Sequence, residues 1–468
     1  MARPIATAHE LDHPPLTQKL TWILSFSCAL AIGNIYYNQP LLAQMGHALQ
    51  SAPEKTAGVA VLTQLGYALG LFFIVPLGDK LERRRIVLRL LILLSIVLAA
   101  TALSPNVTTL LALSLVIGMA NVISPLLIAF AASLAAPNER GKVVGTLMSG
   151  LLIGILLART IAGFIGSLFG WRAMYFIAAA LMLFLYGLLR ANLPTSKPRF
   201  SGTYLELLKS LVVLVKNEPV LVEASLASGL TFGAFSALWS VLSFKLETPP
   251  FHFDSTVVGL FGLLGVVGAL GAPFIGRISD RGGPVATAAV GTLIVILSFG
   301  IFIVATDAMS GLVVGVVLMD LGVQVTHVAN QTRVLGINPA ATSRLNTVYM
   351  CSYFFGGAAG SALAGTLWPI WGWLGSSMIG LVMAAVALVI ILKGARDRAM
   401  RVRAFAGKMT QREQMCSDWD AQGECVGERL QARAIQPGPV QSAHRARVHE
   451  PLGSEGSPDA GDRDNVVP

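Results

Sequence analysis

Pro76-Leu77-Gly78-Asp79-Lys80-Leu81-Glu82-Arg83-Arg84-Arg85 is the stretch on which the reading of this chain turns. An apolar run ends there in Asp79, the cations Lys80, Arg83, Arg84 and Arg85 follow, and a second apolar run begins at Ile86. Apolar run, charged turn, apolar run is the pattern of a helical hairpin whose arms lie in lipid and whose turn lies in water. The event recurs at Gly276-Arg277-Ile278-Ser279-Asp280-Arg281-Gly282-Gly283-Pro284, with Asp280 placed 201 residues after Asp79. Two such hairpins at that spacing imply a duplicated membrane protein.

Composition agrees. Of 468 residues, 54% are hydrophobic and 13% charged, and the mean hydropathy is +0.67. A soluble domain carries about one quarter charged residues, whereas a lipid-facing surface excludes them, because a charge at the bilayer centre costs at least about 3 kcal/mol. The net charge of +9 does not point to nucleic acid, because the cations sit in short loops between apolar runs. That is the distribution that sets membrane orientation. Cys28, Cys351, Cys416 and Cys425 show no metal-ligand spacing and read as free thiols. No cofactor motif and no metal set is found. Residues 1–19 are polar, and the first apolar run is too long for a cleaved signal.

Runs of about twenty mostly apolar residues, each long enough to cross about 30 Å as helix, fall near 20–43, 57–78, 86–104, 109–134, 143–168, 172–192, 219–244, 256–276, 284–306, 309–332, 344–369 and 374–393. Lys80, Arg83–Arg85, Arg140, Lys142, Arg190, Lys197, Arg199, Lys209, Lys216, Arg277, Arg281, Arg333, Arg344 and Lys393 collect on one side of these spans. The other side holds little beyond Lys55, Arg172 and Lys245. Both termini and the 193–218 connection are therefore expected in the cytoplasm. Residues 20–192 and 219–393 read as two six-helix bundles. Tyr204 to Lys216 reads as a short amphipathic helix on the inner membrane surface. Residues 394–468, poor in aliphatics, read as a tail that rests first on anionic lipid and is then disordered.

The halves match beyond the charged turns. Gly154 and Gly356, Gly163 and Gly365, and Trp171 and Trp373 are each 202 residues apart. Small residues recur every fourth position at Gly150, Gly154, Ala158, Ala162 and Gly166, and again at Gly356, Gly360 and Ala364, a stripe that lets helix backbones approach.

The turn at 76–85 resembles the signature loop of the major facilitator superfamily, Gly-x-Leu-Ala-Asp-Arg-x-Gly-Arg-Lys. Leu77, Asp79, Lys80, Arg83 and Arg84 match it, with Val75 and Glu82 in place of the glycines; the second copy keeps Gly276, Asp280, Arg281 and Gly283. The segment from Gly154 to Gly163 resembles the family's antiporter motif, with Ala158-Arg159 where Gly-Pro is usual, and Ser114 stands where the family's fourth span places an arginine. Asn34–Leu41, Glu139–Thr146 and Gly170-Trp171-Arg172 are similar to bacterial drug-efflux members.

The resemblance implies an all-α membrane protein of twelve helices in two pseudo-symmetric six-helix bundles, with a site at the midplane between them. It implies a monomeric transporter of the bacterial inner membrane, exchanging a small amphipathic solute for protons by alternating access. It further implies that Asp79, Lys80, Arg83, Arg84, Asp280 and Arg281 latch the two bundles at the inner side in one state. For Arg84 and Arg85, anchoring of the hairpin suffices.

Arg159 and Asp320 are the two formal charges well inside the expected helices, about 14 and 16 Å from the outer ends at the standard helical rise. Two readings stand: a pair that couples protons, and a permanent ion pair between helices. Glu223 reads as interfacial, one turn into its span. His327, in the same span as Asp320, is a further protonation candidate or a satisfied structural histidine. Asn34, Tyr37, Asn38, Gln64, Tyr67 and Asn121 are candidates for a cavity wall, against a role as hydrogen-bonding glue between helices.

A membrane enzyme would need a nucleophile–base set or metal ligands at the boundary, and none is found. A facilitator, an importer and a transporter-like sensor are the remaining alternatives. A sensor would lose its output on removal of the tail, whereas a transporter would keep its flux.

Overall fold

The computed structural model describes residues 16–136, 138–195, 202–265, 283–338 and 341–420, with side chains described to residue 400. Asp280 and Arg281, which carry the second charged turn, lie outside the described residues.

The described residues form helices and no strand. The first six crossings are built from α1 (Gln18–Tyr36) with α2 (Leu42–Ala48), α3 (Pro53–Phe73) with α4 (Leu77–Lys80), α5 (Arg83–Ala102), α6 (Val107–Ala120) with α7 (Ile123–Leu134), α8 (Arg140–Phe169) and α9 (Trp171–Asn192). After α10 (Tyr204–Asn217) come α11 (Pro219–Glu247), α12 (Ser255–Gly265), α13 (Gly283–Val304), α14 (Met309–Leu335) and α15 (Thr342–Asp420). α15 comprises two helices that meet at a kink at Gly372, where φ is +54°. With α12 as the described part of the eighth crossing and α15 as two, the helices make the expected twelve.

Why these residues form these helices is largely a matter of solvent. In lipid no water satisfies backbone groups, so each apolar segment must bond its own. Caps appear where chain meets water. Thr17 accepts the Leu20 N–H, Asn106 accepts that of Thr109, and Thr203 and Glu206 cap each other reciprocally at the start of α10. Large apolar side chains turned outward, among them Ile96, Phe164, Phe169, Phe184, Leu297 and Val389, form the lipid-facing belt.

The internal repeat is visible in the backbone. Gly170 and Gly372, 202 residues apart, both take positive φ (+79° and +54°), and each is followed by a buried tryptophan, Trp171 or Trp373. A left-handed residue is strained for anything but glycine, so each glycine lets a helix pair reverse tightly onto its own tryptophan.

Small-residue stripes bring backbones together as the spacing predicts. A methyl group on Gly154 would lie 2.6 Å from the Ala29 Cα in α1, and one on Gly356 would lie 2.7 Å from the Gly229 Cα in α11. Between the first six helices and the last six, Gly163 faces Gly259 of α12, where a methyl would come within 2.9 Å of the Cα. Ser255 donates to the Gly163 carbonyl (3.1 Å), Thr160 to that of Gly259 (3.0 Å), and Thr256 to Ser167 (2.7 Å). This seam lies toward the end of the bundle opposite the 78–85 turn.

α10 buries Leu207 and Leu211 and leaves Leu205, Val212 and Val213 exposed, the amphipathic character expected of it. Two expectations need correcting. The helix does not stop at Lys393 but continues to Asp420, because Ala, Arg, Met, Gln and Glu between 395 and 415 are strong helix formers. Glu223 is not merely interfacial, as described below. The expected disorder beyond residue 420, and the side chain of Cys416 with Cys425, lie outside what is described; Cys28 and Cys351 are free and buried.

Candidate functional site

Arg159 sits on the inward face of α8, 1% exposed. Its neighbours come from both sequence halves. Nε donates to the Gln39 Oε1 at 2.6 Å, and the guanidinium lies over three rings: Trp239 at 4.1 Å, Tyr36 at 4.8 Å and Phe235 at 5.3 Å. A guanidinium is planar and weakly hydrated, so ring faces replace part of its lost water, at about 2 kcal/mol for a desolvated contact. Lysine at this position would lose the stacking. Gln39 reaches the site because α1 ends at Tyr36 and a short 3-10 turn, Gln39–Leu41, redirects the chain inward; Pro40 within it donates no N–H.

Asp320 is 6% exposed on α14. Among the described residues its Oδ2 has no hydrogen-bond partner, and neither has the Arg159 Nη2. The two charges sense each other, yet among the described residues no ion pair joins them. This differs from the direct pair that opposite signs at equal depth suggest. The reason is steric and local. α12 passes between α8 and α14, with Gly262 against the Arg159 side chain and Gly265 against Asp320, while the ring cage holds the guanidinium on the α11 side. Trp239 stands beside both. Its indole face meets Arg159, and its N–H is turned toward Asp320 without closing a bond.

His327 is drawn into a different assembly. Tyr349 OH lies 3.0 Å from the His327 Nδ1, from its carbonyl oxygen and from the Ser228 Oγ. Asn330 Nδ2 donates to the same Ser228 oxygen (2.9 Å), and Arg333 Nη1 donates to the Asn330 Oδ1 (2.8 Å). Arg333 Nη2 then reaches Glu223 at 2.8 Å, and Arg398 closes on the same carboxylate. The chain runs from mid-depth to the turn end of the last six helices. Glu223 and Arg333 side chains are 11% and 6% exposed, so this is a buried ion pair rather than a solvated edge, joined from its rim by Arg398, 33% exposed, to make a triad. Sequence reading missed it because its members are 110 and 175 residues from Glu223, with no motif linking them.

The amides divide. Asn34 donates to the Asn121 Oδ1 (3.3 Å) and to the Ala31 carbonyl, and Asn38 donates to the Thr63 Oγ1 (3.2 Å). These bonds stay within the first six helices. Gln64 crosses between the halves, donating to Ser361 (3.3 Å) and accepting from Ser236 (3.1 Å). Tyr67, beside it on α3, meets Phe354 edge-on at 4.4 Å. Tyr37 is buried and folds back over Gly33. Ser236 and Ser361, which complete the Gln64 contact, went unread because lone serines in apolar runs carry no signal.

At the first charged turn, Asp79 accepts from Arg83 Nη2 at 2.7 Å, and Arg83 also donates to the carbonyls of Gly78 (2.9 Å) and Ala129 (3.1 Å). Arg84 donates to the Arg190 carbonyl at 2.8 Å, an anchoring contact. These partners all belong to the first six helices. Lys80 is half-buried beside them.

A twelve-crossing helical body, an internal repeat, and buried charges where its halves meet define a multi-pass membrane transporter of repeat architecture. The chain belongs to the Major Facilitator Superfamily, whose family profile matches residues 22–335. It is 38% identical over 379 residues to the "Uncharacterized transporter YgaY" of Escherichia coli O157:H7, covering 81% of this chain and 96% of that protein. It is 34% identical over 355 residues to the "Probable transporter SCO4007" of Streptomyces coelicolor, covering 75% and 82%. In fold it resembles a bacterial homologue of the human lysosomal transporter Spinster, in an inward-facing and occupied conformation. There the TM-score is 0.67 at 15% identity, over 82% of this chain and 98% of that one. It also resembles the peptide transporter POT solved with sulfate, with a TM-score of 0.63 at 15% identity, over 80% and 92%.

Proposed function

We propose that this transporter is a proton-coupled exporter of a small amphipathic organic solute, working by alternating access. The observation that supports it most directly is the Arg159–Asp320 centre. Two opposite charges lie buried at mid-depth, contacted from both sequence halves and not neutralised by direct pairing. A charge kept in a low-dielectric site at such cost marks a functional pathway by default. Asp320 is the group that would take the proton, with Arg159, Trp239 and Tyr353 as its polar surroundings. Residues 20–192 and 219–393 are read as the two rocking bundles. The cation-rich turn end is read as cytoplasmic, with both termini there, in a bacterial inner membrane. Asp79 and Asp280 are read as the gate.

The test is made in inside-out membrane vesicles from overexpressing cells, energised to an acidic lumen and followed with a pH-sensitive dye. Addition of toxic compounds and metabolites in turn should, for the true substrate, dissipate the gradient with wild-type protein and not with Asp320→Asn. Substrate flux that proceeds unchanged without a proton gradient would remove the coupling and leave a facilitator.

A further inference from the structure

Among the described residues, three polar atoms without a hydrogen-bond partner lie where α8, α11 and α14 meet. Arg159 Nη2 and Trp239 Nε1 are donors, and Asp320 Oδ2 is an acceptor. Each belongs to a side chain at most 6% exposed. A buried, unsatisfied donor or acceptor costs about 1–3 kcal/mol, more when charged, and buried polar groups elsewhere in proteins are almost always satisfied. With Asp320 ionised the centre has no net charge: one cation, one anion and a neutral N–H. A ligand that satisfies it must present a charged acceptor to the guanidinium and indole, and a charged donor to the carboxylate.

We infer that the solute recognised here is a small zwitterion with an aromatic or bulky apolar body, its carboxylate held by Arg159 and Trp239 and its ammonium by Asp320. This rests on the transporter reading above and narrows its substrate to a class. Net-charge arguments separate this class from its neighbours. An organic cation would meet the Arg159 charge, and an organic anion would meet that of Asp320. Each would leave one buried charge uncompensated, the costly outcome. The aromatic surfaces of Tyr36 and Phe235, already gathered around the guanidinium, supply the wall against which an apolar body packs. Gly265 borders the acceptor side: a methyl there would stand 2.9 Å from Asp320 Oδ2.

The full-length protein, purified into lipid nanodiscs, is titrated with three probes of one shape: L-phenylalanine, L-phenylalaninamide and 3-phenylpropionate. Binding is read by indole fluorescence and by thermal shift. The zwitterion is expected to bind at least about tenfold tighter than the cationic amide and the anionic acid, because each analogue leaves a buried charged group unmatched. Trp239→Phe keeps the ring over Arg159 and removes the N–H. It should fold normally and weaken phenylalanine about tenfold, with thermal shift as the readout. Gly265→Ala should weaken it as well by crowding Asp320. Equal binding of the amide or the acid, or no saturable binding of any of the three, overturns the inference. Counterflow of radiolabelled phenylalanine in proteoliposomes separates this from the reading beneath it. Binding without flux supports the site and sinks transport, whereas flux of the amide alone keeps transport and sinks the zwitterion.

Discussion

Two buried charged regions of this protein solve the same problem differently. In the Glu223–Arg333–Arg398 triad every charge has an opposite partner within 3.2 Å, and all three side chains belong to the last six helices or their extension. At the Arg159–Asp320 centre the charges are more deeply buried, come from opposite sequence halves and make no direct pair. A paired network confined to one half, as this one is, has the contacts expected of a structural rivet. An unpaired centre spanning the seam suits the role proposed for it, that of a receptor for a proton, a solute, or both. Contact with both halves, rather than burial, distinguishes the two.

The comparison is broken most readily at the triad. Glu223→Gln leaves the buried Arg333 without its carboxylate, along with Arg398 at the rim, and losing one member of a buried pair costs about 3–5 kcal/mol. Against a total stability of about 5–15 kcal/mol, folded protein in the membrane should fall several-fold, as measured by fluorescence-detected size exclusion of a tagged chain. Normal yield with normal thermal stability would mean that the triad is solvated and the contrast is false.

At the seam the expected order is reversed, with function lost before fold. Asp320→Asn replaces an unpaired carboxylate by a neutral amide, so yield should hold while gradient-driven flux drops at least about tenfold. Arg159→Gln costs more folded protein than Asp320→Asn, because it removes the Gln39 bond and three ring contacts along with the charge. The double variant should recover part of the Arg159→Gln yield without recovering coupling. Recovery of both would make the centre a structural pair after all.

How much of this was legible follows from range in sequence. The crossings were legible, because lipid imposes a local rule on every stretch of about twenty residues. The repeat was legible through Trp171 and Trp373, which keep a spacing no helix period explains. Arg159 and Asp320 stood out because charge is rare at that depth. Their surroundings did not. The ring cage depends on Tyr36, Phe235 and Trp239 turning inward from apolar helices in which aromatics are unremarkable, and whether two charges touch is decided by how α12 passes between them. The helical continuation to Asp420 is readable from propensity, which runs against the low aliphatic content of the same stretch.

Asp79 offers the finest test, because here the two kinds of region meet in one residue. Its bond to Arg83 is an i,i+4 contact between side chains 32% and 11% exposed, worth about 0.5 kcal/mol or less to the fold. Arg83 is held in any case by the carbonyls of Gly78 and Ala129, so Asp79→Asn should leave the turn in place. If Asp79 only fastens its own hairpin, as its partners in this structure suggest, the variant should transport normally. If it also latches the bundles in the other state of the cycle, folding is unchanged while transport falls severely, and Asp280→Asn in the repeat should reproduce the loss. We expect the second outcome, since a rivet of so little energy does not account for its placement in both halves of the repeat. Unimpaired flux in the Asp79→Asn, Asp280→Asn double variant, at wild-type yield, would return the whole turn to the category of structural anchors and leave the seam around Arg159 to work without a latch at the opposite end.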